Sequence, residues 1–143
     1  RYRDGVIPGV NREATGAIED ELVQTIAVAS ARVELAMSEY HPQEALAAIW
    51  DIVTRANAYV EVTAPWQIAK DEREETEPPG RLDTALTALA ITLSRIAYLL
   101  EPFLPETSRK ITDQLGGTSV GATPTAGQRV AKPQPIFPRF EDA

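Results

Sequence analysis

Cysteine is absent from the 143 residues and histidine occurs once, as His41. Without thiols there is no disulfide framework and no thiolate metal site, and a lone imidazole cannot complete a structural zinc shell. No metal site is expected. No cationic and apolar leader opens the chain, and no uninterrupted run of about 18 apolar residues occurs, so the expectation is a soluble, cytoplasmic protein with neither signal nor membrane anchor. The first residue is Arg1 rather than Met, as expected of a processed piece or the ordered part of something longer. Catalytic groupings are missing too. There is no glycine loop to cradle phosphates and no nucleophile set beside a base, so no catalytic residue is assigned. His41, next to Pro42, reads as a cap or surface residue. The carboxylate runs Glu19 to Glu21 and Asp71 to Glu77 read as solvated charge.

The length suits one domain with one core. The net charge is −7 and the pI near 4.7, which argues against a free-standing general RNA binder, because phosphate contacts normally supply most of the affinity for nucleic acid. A polyanion could be met at a small spot only, with charge compensation from local Arg and Lys or from another domain.

Ile18, Leu22, Ile26, Ala29, Val33, Met37 and Tyr40 recur at intervals of three and four behind Glu19, Asp20 and Glu21, predicting a helix over about 17–40 with carboxylates at its positive end. Pro42 suits the first position of a second helix, over about 42–63, whose stripe is Leu46, Ile49, Val53, Ala56 and Val60. On this phase Trp50 is expected in the core. A short helix to Lys70 follows, then an exposed loop over 71–80 that ends in Pro78-Pro79-Gly80. Leu82, Ala85, Leu86, Leu89, Leu93, Ile96, Ala97 and Leu100 give a third long stripe. Leu104-Pro105-Glu106 restarts a helix that carries Ile111 and Leu115 and stops at Gly116-Gly117. Short connections make the first helices antiparallel neighbours. The fold class is therefore all-α: an antiparallel helical bundle over 1–117, a flexible linker over 118–132, and a docking tail over 133–143 that returns as an extended strap. In that tail Ile136, Phe137 and Phe140 stand between prolines, and burying two of them would stabilise by roughly 3–6 kcal/mol before ordering costs.

The sharpest local signal is Asn57-Ala58-Tyr59 to Lys70, where a helical pattern runs into Pro65-Trp66. Proline lacks the N–H a helix needs and pushes Ala64 out of the α region, so the helix breaks near Thr63 and restarts with Pro65 at its first position. Trp66 then occupies a corner. Its indole could offer a stacking face for a nucleotide base, or it could seal the bend against the core. Asn57 and Tyr59 could satisfy backbone groups released by Pro65. Lys70, one turn past Trp66, could meet a phosphate or pair with Asp71 or Glu74.

These residues resemble the anticodon-binding domain of class I methionyl-tRNA synthetase. The resemblance rests on Asn57-x-Tyr59 with Ala64-Pro65-Trp66-Gln67-Ile68-Ala69-Lys70, on Leu99-Leu100-Glu101-Pro102-Phe103-Leu104-Pro105, and on the ending Gln134-Pro135-Ile136-Phe137-Pro138-Arg139-Phe140. The Pro-Trp corner is shared with synthetases for leucine, isoleucine, valine and cysteine; the ending tips the choice to methionine. The resemblance implies that Trp66, with Pro65, stacks on an anticodon base, with Asn57, Tyr59 and Lys70 in support. It implies a parent methionine-tRNA ligase that uses ATP, with ATP and zinc held in a catalytic part this chain lacks. No cofactor is expected in this chain. The implied partners are the tRNA anticodon loop and the catalytic domain of the same enzyme, with no membrane. The alternatives are a fragment of one of those other ligases, or a helical scaffold that uses Trp66, Phe137 and Phe140 for protein contacts.

Overall fold

A computed structural model describes residues 3–9, 15–77 and 80–137. Among the described residues a short 3-10 turn, Arg3–Gly5, precedes five α-helices: α1 Ala17–Ser38, α2 Pro42–Thr63, α3 Pro65–Arg73, α4 Arg81–Leu100 and α5 Pro105–Gln114. Proline stands at the first position of α2, α3 and α5, where its missing N–H would be unpaired anyway and its fixed φ already fits the helix. Gly16 caps α1 while the Glu19 carboxylate reaches back to accept the Gly16 N–H at 2.8 Å.

A tight connection folds α1 and α2 into an antiparallel pair. Tyr40 turns in the left-handed region (φ 60), and the His41 N–H donates to the Ala36 carbonyl at 2.8 Å. The main core joins Ala29, Val33 and Ala36 of α1 to Ala45, Ala48, Ile49 and Ile52 of α2 and to Ile96, Leu99 and Leu100 of α4. Alanine dominates where α1 meets α2, which lets the two backbones approach closely. Leu22, Tyr59 and Ala85 extend the core toward the other end, and Ile68, Ala69 and Leu82 seat α3 on the start of α4.

Helix α4 is the central element, packed against α1, α2, α3 and α5. It is long and apolar enough by composition to cross a bilayer. Its hydroxyls nonetheless bond to protein groups on several sides: Thr87 to the Pro8 carbonyl at 2.7 Å, Ser94 to the Ala122 carbonyl at 2.8 Å and Thr92 to the Ala88 carbonyl at 2.8 Å. That is the pattern of a core helix.

Within residues 118–132, expected as a flexible linker, several residues are bonded to the rest of the chain. The Ile7 N–H donates to the Gln128 carbonyl at 2.8 Å, the Gly127 N–H to the Ile7 carbonyl at 2.9 Å and the Val130 N–H to the Gly5 carbonyl at 2.8 Å, so this segment pairs with residues 5–7. One bridge, Val6 to Arg129, is the only β pairing among the described residues. Gly116 (φ 74) permits the close approach, because a Cβ there would collide with the Arg129 carbonyl oxygen.

Two further differences from the sequence-based expectations have physical causes. Helix α3 runs three residues past Lys70, where Asp71 accepts from Gln67 of the same helix and Glu72 from Arg3. Trp50 is 65 % exposed rather than in the core; the α2 interface is phased on its alanines, which turns the neighbouring large side chain outward. Of the tail, Phe137 is 72 % exposed, and the expectation for Phe140 falls outside the described residues.

Candidate nucleic-acid interface

The corner is built from backbone outward. Ala64 adopts the left-handed conformation (φ 41, ψ 65) and serves both helices: its N–H donates to the Val60 carbonyl at 2.9 Å, ending α2, and its carbonyl accepts from Gln67 and Ile68 at 2.7 and 3.2 Å, starting α3. The Thr63 hydroxyl donates to the Tyr59 carbonyl at 2.7 Å. A non-glycine residue in this region costs about 1–2 kcal/mol, and Pro65 offsets part of it by denying Ala64 the α region in any case.

Helical spacing then decides which side chains face water. Pro65, Ile68 and Ala69, at i, i+3 and i+4, are buried, the last two against Leu82 and Leu86, so Trp66, Gln67 and Lys70 take the outer face. Trp66 is 55 % exposed. It stands at the second position of α3, directly after the buried Pro65. The Gln67 amide donates to Asp71 Oδ1 at 2.7 Å. The Lys70 ammonium lies 3.9 Å from Glu74 Oε1, with both side chains more than half exposed; such a pair contributes well under 1 kcal/mol and leaves the ammonium available.

Tyr59 does a different job from the one its sequence position suggested. Its hydroxyl is buried and donates to Glu19 Oε1 at 2.7 Å. An Arg81 N–H donates to the same oxygen at 2.7 Å, and Oε2 takes the Gly16 N–H. Glu19, from a run read as solvated charge, is only 4 % exposed. Burial alone would raise its pKa, but the Tyr59 hydroxyl, the Gly16 amide and the Arg81 guanidinium together outweigh burial and hold the carboxyl below its ordinary range. Burial first, then the adjacent Glu19 charge, push the Tyr59 hydroxyl upward, so it stays a donor. The network ties the starts of α1 and α4 to α2 one turn before the corner.

A second clamp fixes the far end of α3. Arg3 Nε donates to Asp83 Oδ1 at 2.5 Å and another Arg3 N–H donates to Glu72 Oε2 at 2.7 Å, while Glu72 Oε1 accepts the Leu82 N–H at 3.3 Å. Helix α3 is thus tied to the bundle at both ends, by the buried Pro65 at its start and by Glu72 near its close. The sequence hinted at neither clamp, although a glutamate three residues after a glycine at a helix start is a capping signal.

Of the candidate residues, the structure brings Pro65, Trp66 and Lys70 onto α3, Tyr59 into the supporting network and Asn57 onto the exposed side of α2. Asn57 supplies none of the bonds that cap the corner. Among the described residues no group of three or more His, Asp or Glu side chains is placed to hold a metal ion.

The family model described as the anticodon binding domain of methionyl tRNA ligase matches residues 9–142. The methionine–tRNA ligase of Caldanaerobacter subterraneus subsp. tengcongensis is 35 % identical over 149 residues, covering 99 % of this chain and 22 % of the relative. That of Clostridium acetobutylicum is 36 % identical over 149 residues with the same coverage. The crystal structure of apo Mycobacterium tuberculosis methionyl-tRNA synthetase matches with a TM-score of 0.86 at 28 % identity, over 98 % of this chain and 29 % of that one. The same enzyme with methionyl-adenylate matches at 0.83. The chain spans about a fifth of the length of the curated relatives it matches.

Proposed function

Because this chain belongs to the family of anticodon-binding domains of methionyl-tRNA ligases, we propose that it recognises the tRNA anticodon for a methionine–tRNA ligase whose ATP-dependent chemistry resides in the rest of the polypeptide. The observation that carries this reading is Trp66, half-exposed at the start of a helix clamped at both ends. In this reading the indole stacks on one anticodon base, Pro65 sets its direction, and Lys70 is within reach of the backbone of the same loop. Tyr59 acts behind them as a positioning residue through Glu19, and Asn57 offers an exposed amide on the neighbouring helix. The relatives are methionine ligases, which favours methionine over the leucine, isoleucine, valine and cysteine enzymes that share a Pro-Trp corner. ATP and zinc belong, on this proposal, to the remaining four-fifths of the protein, which is also the partner for the exposed tail at Phe137; the setting is the cytoplasm.

A single stacked base contributes roughly 1–3 kcal/mol, against about 8 kcal/mol for micromolar affinity. The domain therefore contributes discrimination, and the whole enzyme supplies most of the binding. Trp66→Ala in the full-length protein is expected to lower kcat/KM for tRNA charging by about five- to 150-fold, since each 1.4 kcal/mol is a factor of ten. ATP-dependent methionine activation without tRNA should be unchanged. Unaltered charging of the tRNA by this variant would end the proposal.

A further inference from the structure

The charge of the molecule is segregated. Residues 15–77 hold thirteen carboxylates against four cations, whereas residues 105–137 hold two carboxylates against Arg109, Lys110, Arg129 and Lys132. Of the cations of the acidic part, Arg32 is paired with Asp51 and Arg55 with Glu21, Lys70 has only its long, exposed contact with Glu74, and toward the N-terminus and α4 Arg3 is held by Glu72 and Asp83 and Arg81 by Glu19. Arg73 stands among Asp71, Glu72, Glu74 and Glu75. Among the described residues, by contrast, Arg109, Lys110 and Lys132 are exposed and have no ion pair.

Lys110 and Lys132 also share a shaped site. They line a groove of about 430 Å3 between the C-terminal half of α5 and residues 131–135, together with Asp113, Gln114 and Gln134. Gln114 stitches its two walls: its carbonyl accepts the Ala131 N–H at 2.9 Å, its amide N–H donates to the Gln134 carbonyl at 2.9 Å, and its Oε1 accepts the Gln134 N–H at 3.3 Å. Lys110 precedes Gln114 by one helical turn and Lys132 follows Ala131 directly, so the stitching fixes the backbone that carries both lysines, whose side chains are exposed.

We propose that this groove seats backbone phosphates of the bound tRNA, with Lys110 and Lys132 as the contacting cations and Arg109 beside them. The inference rests on the anticodon-binding reading and names a second RNA contact, away from the stacking residue. It also answers an electrostatic difficulty. An acidic bundle repels a polyanion, and a base stacked on Trp66 brings its phosphates with it; besides Lys70 and Arg73 on α3, the exposed cations able to add to the offset lie here rather than on α1 and α2, whose Arg32 and Arg55 are paired. Asp113 in the same groove opposes the lysines and gives the test an arm of opposite sign.

The test uses the full-length ligase and a transcript of its tRNA, with affinity measured between about 50 and 300 mM NaCl. Removing one lysine–phosphate interaction should flatten the dependence of log K on log salt by about 0.7–0.9. The double variant Lys110→Ala/Lys132→Ala is expected to flatten it by about 1.5 and to weaken binding roughly tenfold at the lowest salt. Asp113→Asn should tighten binding a few-fold, and Trp66→Ala should weaken it with no change of slope. A double variant whose slope and affinity match the unsubstituted enzyme overturns the groove, whatever Trp66→Ala does. A normal Trp66→Ala beside an affected double variant removes the stacking role and leaves the groove standing.

Discussion

Glu19 shows how much of the corner's stability depends on one carboxylate. Three donors converge on it, and its pKa is depressed despite burial. A group with a lowered folded-state pKa stabilises fully above its unfolded value, about 4.3, and that contribution disappears as pH falls through the lower folded value. Tyr59 has the opposite sign: its raised pKa means that its contribution is complete below about pH 10 and is lost above it, once the unfolded hydroxyl ionises while the folded one resists. Urea midpoints for the unsubstituted protein should therefore fall at both ends of the pH range, below about 4 and above about 10. Glu19→Gln should lose about 1.5–3 kcal/mol at pH 7 and show a shallower further loss on acidification; a loss as steep as that of the unsubstituted protein would remove Glu19 from this role. None of this was legible from sequence, where Glu19-Asp20-Glu21 looks like ordinary helix-dipole chemistry. A first-turn carboxylate reveals its burial only when the tyrosine 40 residues away is placed against it.

At the level of elements the sequence was informative about boundaries and poor about phase. Pro42, Pro65 and Pro105 each open a helix, and α1, α2, α4 and α5 begin and end within about two residues of where breakers and apolar spacing put them. The α2 stripe read from sequence, by contrast, is Leu46, Ile49, Val53, Ala56 and Val60; of these Ile49 is buried and Val53 packs against the core, while the other buried positions are Ala45, Ala48, Ile52, Tyr59 and Thr63. Periodicity defines an arc about the helix but not which edge of it is innermost, and closely packed alanines shift that edge. Trp50 was misplaced for this reason. Residues 118–131 were hidden by a different cause: their attachment to the bundle is through backbone hydrogen bonds, which composition does not record. Gly116 is the joint on which that attachment turns. Gly116→Ala meets both a positive φ and the Arg129 carbonyl, and should destabilise by about 2–3 kcal/mol. Hydrogen exchange at the Ile7 and Val130 amides should accelerate well before exchange in the α1–α2 pair does. Equal acceleration everywhere would mean that the segment and the bundle unfold as one unit.

The whole molecule sets folding and binding against each other through salt. Thirteen carboxylates between residues 15 and 77 face four cations, so the folded bundle concentrates negative charge that the unfolded chain spreads out. Mobile ions screen that repulsion within a Debye length, about 10 Å at 0.1 M and 30 Å at 0.01 M. The isolated chain, if stable alone, should thus gain stability from salt: its Tm is expected to rise by about 2–5 °C between 10 and 300 mM NaCl, a gain of about 1 kcal/mol for a domain of this size. Over the same interval the affinity of the full-length protein for tRNA should fall, because phosphate contacts release counterions into a more concentrated bath. Opposite responses to one variable separate the two roles of charge. The acidic helices carry the fold, whereas Arg109, Lys110 and Lys132 make no ion pair within it among the described residues; Arg129 alone of these cations bonds to the protein, through the Asp4 carbonyl. Salt-induced stabilisation should then survive Lys110→Ala/Lys132→Ala, measured by the same thermal scan; its disappearance in that variant would show that these lysines already neutralise the bundle and are not held in reserve for RNA.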